Sequence, residues 1–256
     1  MNTSPYLLRP SRLHASIFLF CLLLNSGNVE PNPGPLTNSP SVSFGSLNVR
    51  SAVHKAALIH DLIADQHLDI VALQETWITA DSPPAVKADV APDGYGVLHV
   101  HRVAVRGGPT RGGGLALIHN ETISARHVAL PISCSPTTFE IQLVALGSTS
   151  PPTVIMNIYR PPSSSVPVFL DKLAELLTAF GSQTPGKLLL CGDMNCPGPE
   201  CSHINEDLVS LLDTFGLFQH VHEPTRGRNL LDIVATDHVA SISDLLVDDS
   251  GLISDH

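Results

Sequence analysis

The stretch Lys187–Asn195, KLLLCGDMN, narrows what this chain can fold into more than any other. Leu188–Cys191 is a short apolar run, the pattern of a strand buried on both faces. Gly192 breaks the run, and Asp193 and Asn195 follow at the strand's carboxyl end. An acid and an amide are poor core material, because burying them without partners costs free energy. They are good ligands for a hard cation or a phosphate. Taken alone, the stretch reads equally well as a strand followed by a polar turn, so residues elsewhere must decide.

Other segments repeat the arrangement. Ser41–Val49 alternates as a strand and carries Asn48 near its end, and Asp69–Leu73 is a buried-type strand followed by Gln74-Glu75-Thr76. Thr153–Ile158 runs into Tyr159-Arg160-Pro161-Pro162, where proline cannot donate to a ladder. Leu230–Thr236 is a strand carrying Asp232, and Ser254-Asp255-His256 closes the sequence. Carboxyl ends of strands are where α/β sheets collect ligand-binding groups. Between them, Val53, Ala56, Leu58, Leu62 and Ile63 recur at helical steps, as do Phe169, Leu173, Leu176, Leu177 and Phe180, with Gly181 placed as a stop. A further helix is expected from about Ile204 to Phe215, closed by Gly216. Asp81–Gly94 reads as loop. Gly107–Gly114 lacks the Gly-Lys-Ser/Thr ending of a phosphate loop and reads as a turn, flanked by Arg106 and Arg111. Phe139–Leu146 is a half-buried strand. Several strand pairs lack an intervening helix, which points to a mixed α/β layer protein.

Composition limits the function classes. A net charge of −10 argues against a protein held to nucleic acid by a broad basic field. It leaves room for an enzyme whose acidic site is neutralised by a divalent metal. Five scattered cysteines give no disulfide framework. The pairs His99/His101 and His220/His222 could bind metal only if further ligands completed them, and they read as incidental.

Residues 1–40 stand apart. Arg9, Arg12 and His14 precede the apolar run Ala15–Leu24, which is too short for a stable membrane span and has the shape of a secretory signal. Asn28–Pro35, NVEPNPGP, then resembles the end of 2A-type ribosome-skipping peptides, with Asn28 where that family has Asp. The resemblance implies that the Gly34–Pro35 bond is sometimes never formed during translation. The expected organisation is a leader and linker over 1–40 and one domain over 41–256.

In order and spacing, the motifs LN, QET, IYRPP, GDMN, LD-x-V and SDH resemble the exonuclease–endonuclease–phosphatase superfamily. Within it, NVRS, YRPP and Pro224-Thr225-Arg226 before LLDIV look most like the apurinic-type endonuclease domain of LINE-type (non-LTR) retrotransposon polyproteins. The resemblance implies a four-layer αββα sandwich of two mixed β-sheets flanked by helices. It further implies a DNA endonuclease, dependent on Mg²⁺ or Mn²⁺, that nicks its target to prime reverse transcription. By resemblance Glu75 is the main metal ligand, with Asn48 and Asp255 near it. Asp193 would orient or deprotonate the attacking water, with Asn195 as its companion. His256 would stabilise the pentacovalent phosphate while Asp232 fixes its ring, and Tyr159 would donate to the phosphate. Arg160 and Thr225 are substrate-binding candidates.

The resemblance also implies target DNA, a reverse transcriptase domain and element RNA as partners, and nuclear action on chromosomal DNA. The leader alternatively routes uncleaved product to the secretory pathway. Family domains continue past the SDH motif into another core strand, so the ending at His256 reads as a truncation. Two other readings stay open: a phosphoesterase of the same superfamily acting on small substrates, and a catalytically dead fragment.

Overall fold

Strands with both faces apolar need cover on both sides, and the chain supplies it by stacking two sheets and adding helices outside. The computed structural model describes residues 16–23, 41–102, 112–131, 134, 136–147, 152–183, 187–200, 203–237 and 242–249. In chain order the elements are β1 (Ser16–Leu23), β2 (Ser41–Asn48), α1 (Ala56–Asp65), β3 (Ile70–Gln74), α2 (Pro84–Ala88), β4 (Tyr95–Val100), β5 (Leu115–Asn120) and β6 (Ala125–His127). They continue with β7 (Glu140–Leu146), β8 (Thr153–Tyr159), α3 (Val166–Gln183), β9 (Lys187–Asp193), α4 (Glu206–Thr214), β10 (Phe218–Gln219), β11 (Asp232–Thr236) and β12 (Ile242–Asp249).

One six-stranded sheet has the order β12-β1-β2-β3-β5-β4, and the other β10-β11-β9-β8-β7-β6. Each is mixed: β2 and β3 run parallel, as do β8 and β9, while the remaining pairs are antiparallel. The expected α/β architecture of two mixed sheets with flanking helices is therefore the one observed.

The period of two along each strand separates the layers. Ile70 and Ala72 of β3 point into the inter-sheet core, with Val42 and Phe44 of β2. Val71 and Leu73 point outward, into a second cluster with Ile59, Leu62 and Ile63 of α1. On the far side, Phe169, Leu173, Leu176, Leu177 and Phe180 of α3 and Leu208 and Leu212 of α4 cover the second sheet. Phe169 is fully buried, with the Phe139 ring edge-on at 5.3 Å. Burying one such side chain contributes about 1.5–3 kcal/mol.

Local chemistry sets the helix ends. Asn205 caps α4 by accepting from the backbone N–H groups of Asp207 and Leu208 at 3.0 and 3.2 Å. Gly181 does not stop α3, which runs on to Gln183. Its φ stays outside the left-handed region that a glycine stop requires. The proline-bearing loop after residue 81 contains the short α2, and Tyr95–Val100, not foreseen as a strand, pairs along its whole length with β5. Ser16–Leu23, within the apolar run expected in a leader, is β1, lying between β2 and β12. Among the described residues no helix is long and apolar enough to cross a membrane.

Candidate active site

The carboxyl ends of β2, β3, β8 and β9 converge, and the polar residues there meet. Asn48 closes β2 and is 1% exposed. Its Nδ2 donates to Glu75 Oε1 at 3.0 Å and to Asp193 Oδ2 at 2.7 Å, while its Oδ1 accepts from the Arg50 backbone N–H at 3.1 Å. Tyr159 closes β8, lies in register with Asp193 on the parallel β9, and hydrogen-bonds to Glu75. Glu75 and Asn48 belong to one sheet, Tyr159 and Asp193 to the other.

Glu75 sits just past β3 at φ 53°, a left-handed conformation rare for a residue with a side chain. Such a conformation costs of order 1–3 kcal/mol and persists only where neighbours fix it. Ser51 N donates to Glu75 O at 2.7 Å, Thr76 N to Gly114 O at 3.0 Å, and Trp77 N to Gly113 O at 2.8 Å. Trp77 Nε1 donates to Glu75 Oε2 at 3.2 Å. The carboxylate is thus aimed by its backbone and held by three side chains.

Asp193 is fully buried. Asn195 N donates to its Oδ1 at 2.9 Å, and Asn195, itself at φ 43°, donates from Nδ2 to Arg160 O at 2.8 Å. Asp232 lies directly across from Asp193 in the β9–β11 register. Burial, then the charge of Asp232, pushes the Asp193 carboxyl well above the usual range, against the hydrogen bonds from Asn48 and Asn195. Burial raises Asp232 to about 6, opposed by the Thr225 hydroxyl and Arg226. Burial, the Glu75 charge and the hydrogen bond to Glu75 push the Tyr159 phenol up, so it keeps its proton and remains a donor.

Arg160 and Thr225, the two expected substrate contacts, are both buried. Arg160 is 2% exposed and faces inward: Nε donates to Met194 O at 2.7 Å, NH2 to Asn195 O, and NH1 to Ser164 O and Ser164 Oγ. Its guanidinium staples the Asp193–Asn195 turn from beneath. Thr225 is fully buried and donates to Asp232 Oδ2 at 2.7 Å, while its oxygen accepts from Leu231 N and Asp232 N. Buried polar groups need partners, and both side chains find them inside the protein. Asp255, His256 and the Asn28–Pro35 motif lie outside the described residues.

Sequence reasoning missed the group beside Glu75. A Cβ at Gly112 would lie 3.4 Å from Arg102 NH1, 3.8 Å from Trp77 Nε1 and 3.9 Å from Glu75 Oε2, so the end of the glycine run borders the site. Gly113, at φ 74°, has no room for a side chain against Arg102 and Glu140. Arg102 Nε pairs with Glu140 Oε1, and Gly114 N donates to Glu140 Oε2 at 2.5 Å. The available signal is Gly112-Gly113-Gly114 directly before the apolar strand Leu115–Asn120.

Glu75 offers hard oxygen donors of the kind Mg²⁺ and Mn²⁺ take, with the Asn48 amide nitrogen bracing its carboxylate, and an octahedral Mg²⁺ that keeps several waters needs few protein ligands. The charges of Asp232 and Glu75 also raise the cost of ionising Asp193, which a divalent cation would offset. The residues present fit such an ion. Among the described residues no three His, Cys, Asp or Glu side chains form a ligand cluster on their own.

The family described as endonuclease/exonuclease/phosphatase matches residues 45–256. No curated protein sequence matches the chain. Among solved structures, the endonuclease domain of TRAS1, a telomere-specific non-LTR retrotransposon, is similar at a TM-score of 0.60 and 15% identity, over 83% of this chain and 94% of that one. The AP endonuclease LMAP from Leishmania major is similar at 0.62 and 15%, over 89% and 90%. The 3′ phosphatase NExo from Neisseria, bound to a product DNA hairpin, is similar at 0.50 and 19%, over 75% and 85%. At these identities the likeness is one of fold.

Proposed function

The chain belongs to the endonuclease/exonuclease/phosphatase family, as a phosphodiesterase of that superfamily, and from that premise we propose that it is a divalent-metal-dependent DNA endonuclease. The finer reading is a non-LTR retrotransposon enzyme that nicks target DNA to prime reverse transcription. The observation that carries the metal-dependent hydrolase is the meeting of Asn48, Glu75, Tyr159 and Asp193 at the carboxyl ends of strands from both sheets. The retrotransposon reading is supported by NVRS, YRPP and Pro224-Thr225-Arg226, and by the shared fold of the TRAS1 domain.

Glu75, with Asn48 beside it, would hold the cation. When bound, the ion supplies positive charge to offset the charge developing on the phosphate and leaving oxygen. Asp193 takes a proton from the attacking water; its raised pKa brings it toward the operating range of a general base. The backbone N–H of Asn195 and the amide of Asn48 fix which way that carboxylate faces. Tyr159 keeps its proton and donates toward a phosphate oxygen. Asp232, held by Thr225, is assigned to orient His256, and Asp255 to assist the cation, both by resemblance.

The test is nicking of supercoiled plasmid by the full chain in Mg²⁺. Nicked circles are expected with the wild type and not in EDTA, and Glu75→Ala should slow the reaction at least about 100-fold. Equal nicking by Glu75→Ala rejects the proposal. Hydrolysis of phosphoinositide or sphingomyelin with plasmid left intact moves the chain to a small-substrate phosphoesterase.

A further inference from the structure

A second tier of contacts crosses between the sheets directly behind the site. The period of two puts Ser46 on the face of Asn48, Asn157 on the face of Tyr159, and Cys191 on the face of Asp193, while Gln74 immediately precedes Glu75. Ser46, Gln74, Asn157 and Cys191 are all buried, none more than 1% exposed. Gln74 Nε2 donates to Asn157 Oδ1 at 2.7 Å and to Ser46 Oγ at 3.2 Å. Asn157 Nδ2 reaches back across to Leu73 O at 3.2 Å and Ala116 O at 3.4 Å, and to Gln142 Oε1 at 3.3 Å within its own sheet. The Cys191 thiol bonds to Ser46.

Stability is a weak reason for this tier. Replacing both partners of a buried polar pair by apolar groups of the same shape is often neutral or stabilising. Gln74 Oε1 even lacks a partner among the described residues, a cost that an apolar core would avoid. What amides offer and apolar groups do not is direction: a hydrogen bond fixes spacing and register together. This one does so one residue from Glu75 and two from Tyr159, on opposite sheets.

We propose that Gln74 and Asn157 are a positioning pair that sets how closely Glu75 approaches Tyr159 and Asp193, and thereby the affinity of the site for a divalent cation. The cation half rests on the hydrolase reading; the geometric half does not. Trp77 is the only tryptophan in the chain, and its indole N–H donates to Glu75 at 3.2 Å. One indole resonance therefore reports the position of Glu75 without any need for activity.

The experiment compares full-length wild type, Asn157→Leu, Gln74→Met and the double variant. Readouts are the ¹⁵N–¹H indole resonance of Trp77, quenching of its fluorescence by Mn²⁺, and thermal unfolding. Each single variant is expected to shift the indole resonance and to raise the Mn²⁺ midpoint about tenfold or more, the range for residues that orient metal ligands. An unmoved resonance and midpoint beside a lowered Tm overturn the proposal and leave the pair as packing. Where a single variant fails to fold, the double variant, which removes both polar partners together, decides by the same criteria. A wild type whose Trp77 ignores Mn²⁺ overturns the cation half together with the hydrolase reading, and the indole resonance alone then keeps or rejects the positioning role.

Discussion

Asn48 and Asp193 meet across the two sheets at 2.7 Å, and the same amide nitrogen reaches Glu75 at 3.0 Å. One neutral donor therefore couples carboxylates that belong to different sheets. The Glu75 charge helps raise the Asp193 carboxyl, and the shared donor relieves part of that cost. Asn48→Leu removes the relief while keeping side-chain bulk. Its nicking rate under kcat/KM conditions is expected to fall about 10²–10³-fold, the scale for losing one preorganised donor. A rate equal to wild type would take Asn48 out of the site.

Asp232 gives the chain a pH signature. Its carboxyl is raised to about 6 by burial, against a reference of 3.8. For an acid whose folded pKa is raised, the contribution to stability is fully present below the unfolded pKa and is lost as pH rises through the folded one. Asp193, raised by burial and then by Asp232, acts in the same direction. In EDTA, the urea midpoint of wild type is therefore expected to fall relative to Asp232→Asn between about pH 4 and 7. Parallel curves for the two proteins would contradict the assignment.

Arg160 separates a substrate contact from an internal staple. Its donors go to Met194 O, Asn195 O and Ser164, so Arg160→Met leaves buried carbonyls without a partner. The expected cost is about 3 kcal/mol in urea unfolding. The turn bearing Asp193 should loosen with it, lowering kcat more than it changes KM. A variant of wild-type stability with a raised KM would instead make Arg160 a substrate contact.

The fold was legible in the sequence wherever burial imposed a period. Asp69–Leu73 and Leu188–Cys191 read as buried strands and fall on β3 and β9, and the same alternation that buries Phe44 puts Asn48 on the inter-sheet face. Asn48, Glu75, Tyr159 and Asp193 stand out in the sequence because they close such runs, and Asp232 because it is an acid within one. Direction was not legible. Arg160 and Thr225 share the composition of a substrate-binding loop, yet the turns around Met194 and Asp232 consume their donors. Tyr95–Val100 was missed because all its residues are half-buried and Gly96 and His99 interrupt the apolar signal. The cross-sheet bond of Gln74 to Asn157 joins residues 83 positions apart, which no local pattern encodes.

Gly192 is the residue that lets β9 lie this close to β8 just before Asp193. It has φ 125°, and a Cβ built there would fall well inside van der Waals distance of Ile158 O, a backbone atom of β8. No flexible side chain can yield; the strand itself would have to move. Yet β8 and β9 are locked in parallel register at this point, Ile158 against Gly192 and Tyr159 against Asp193. Gly192→Ala must therefore strain the backbone or part Tyr159 from Asp193. A loss of at least about 2 kcal/mol in urea unfolding is expected, from overpacking added to an unfavourable φ. Nicking should fall further than the folded fraction does, since the displaced strand end carries Asp193. Wild-type stability and rate in Gly192→Ala would mean that the two strands can separate there without cost, and that the close approach of β8 to β9 does not place the acid.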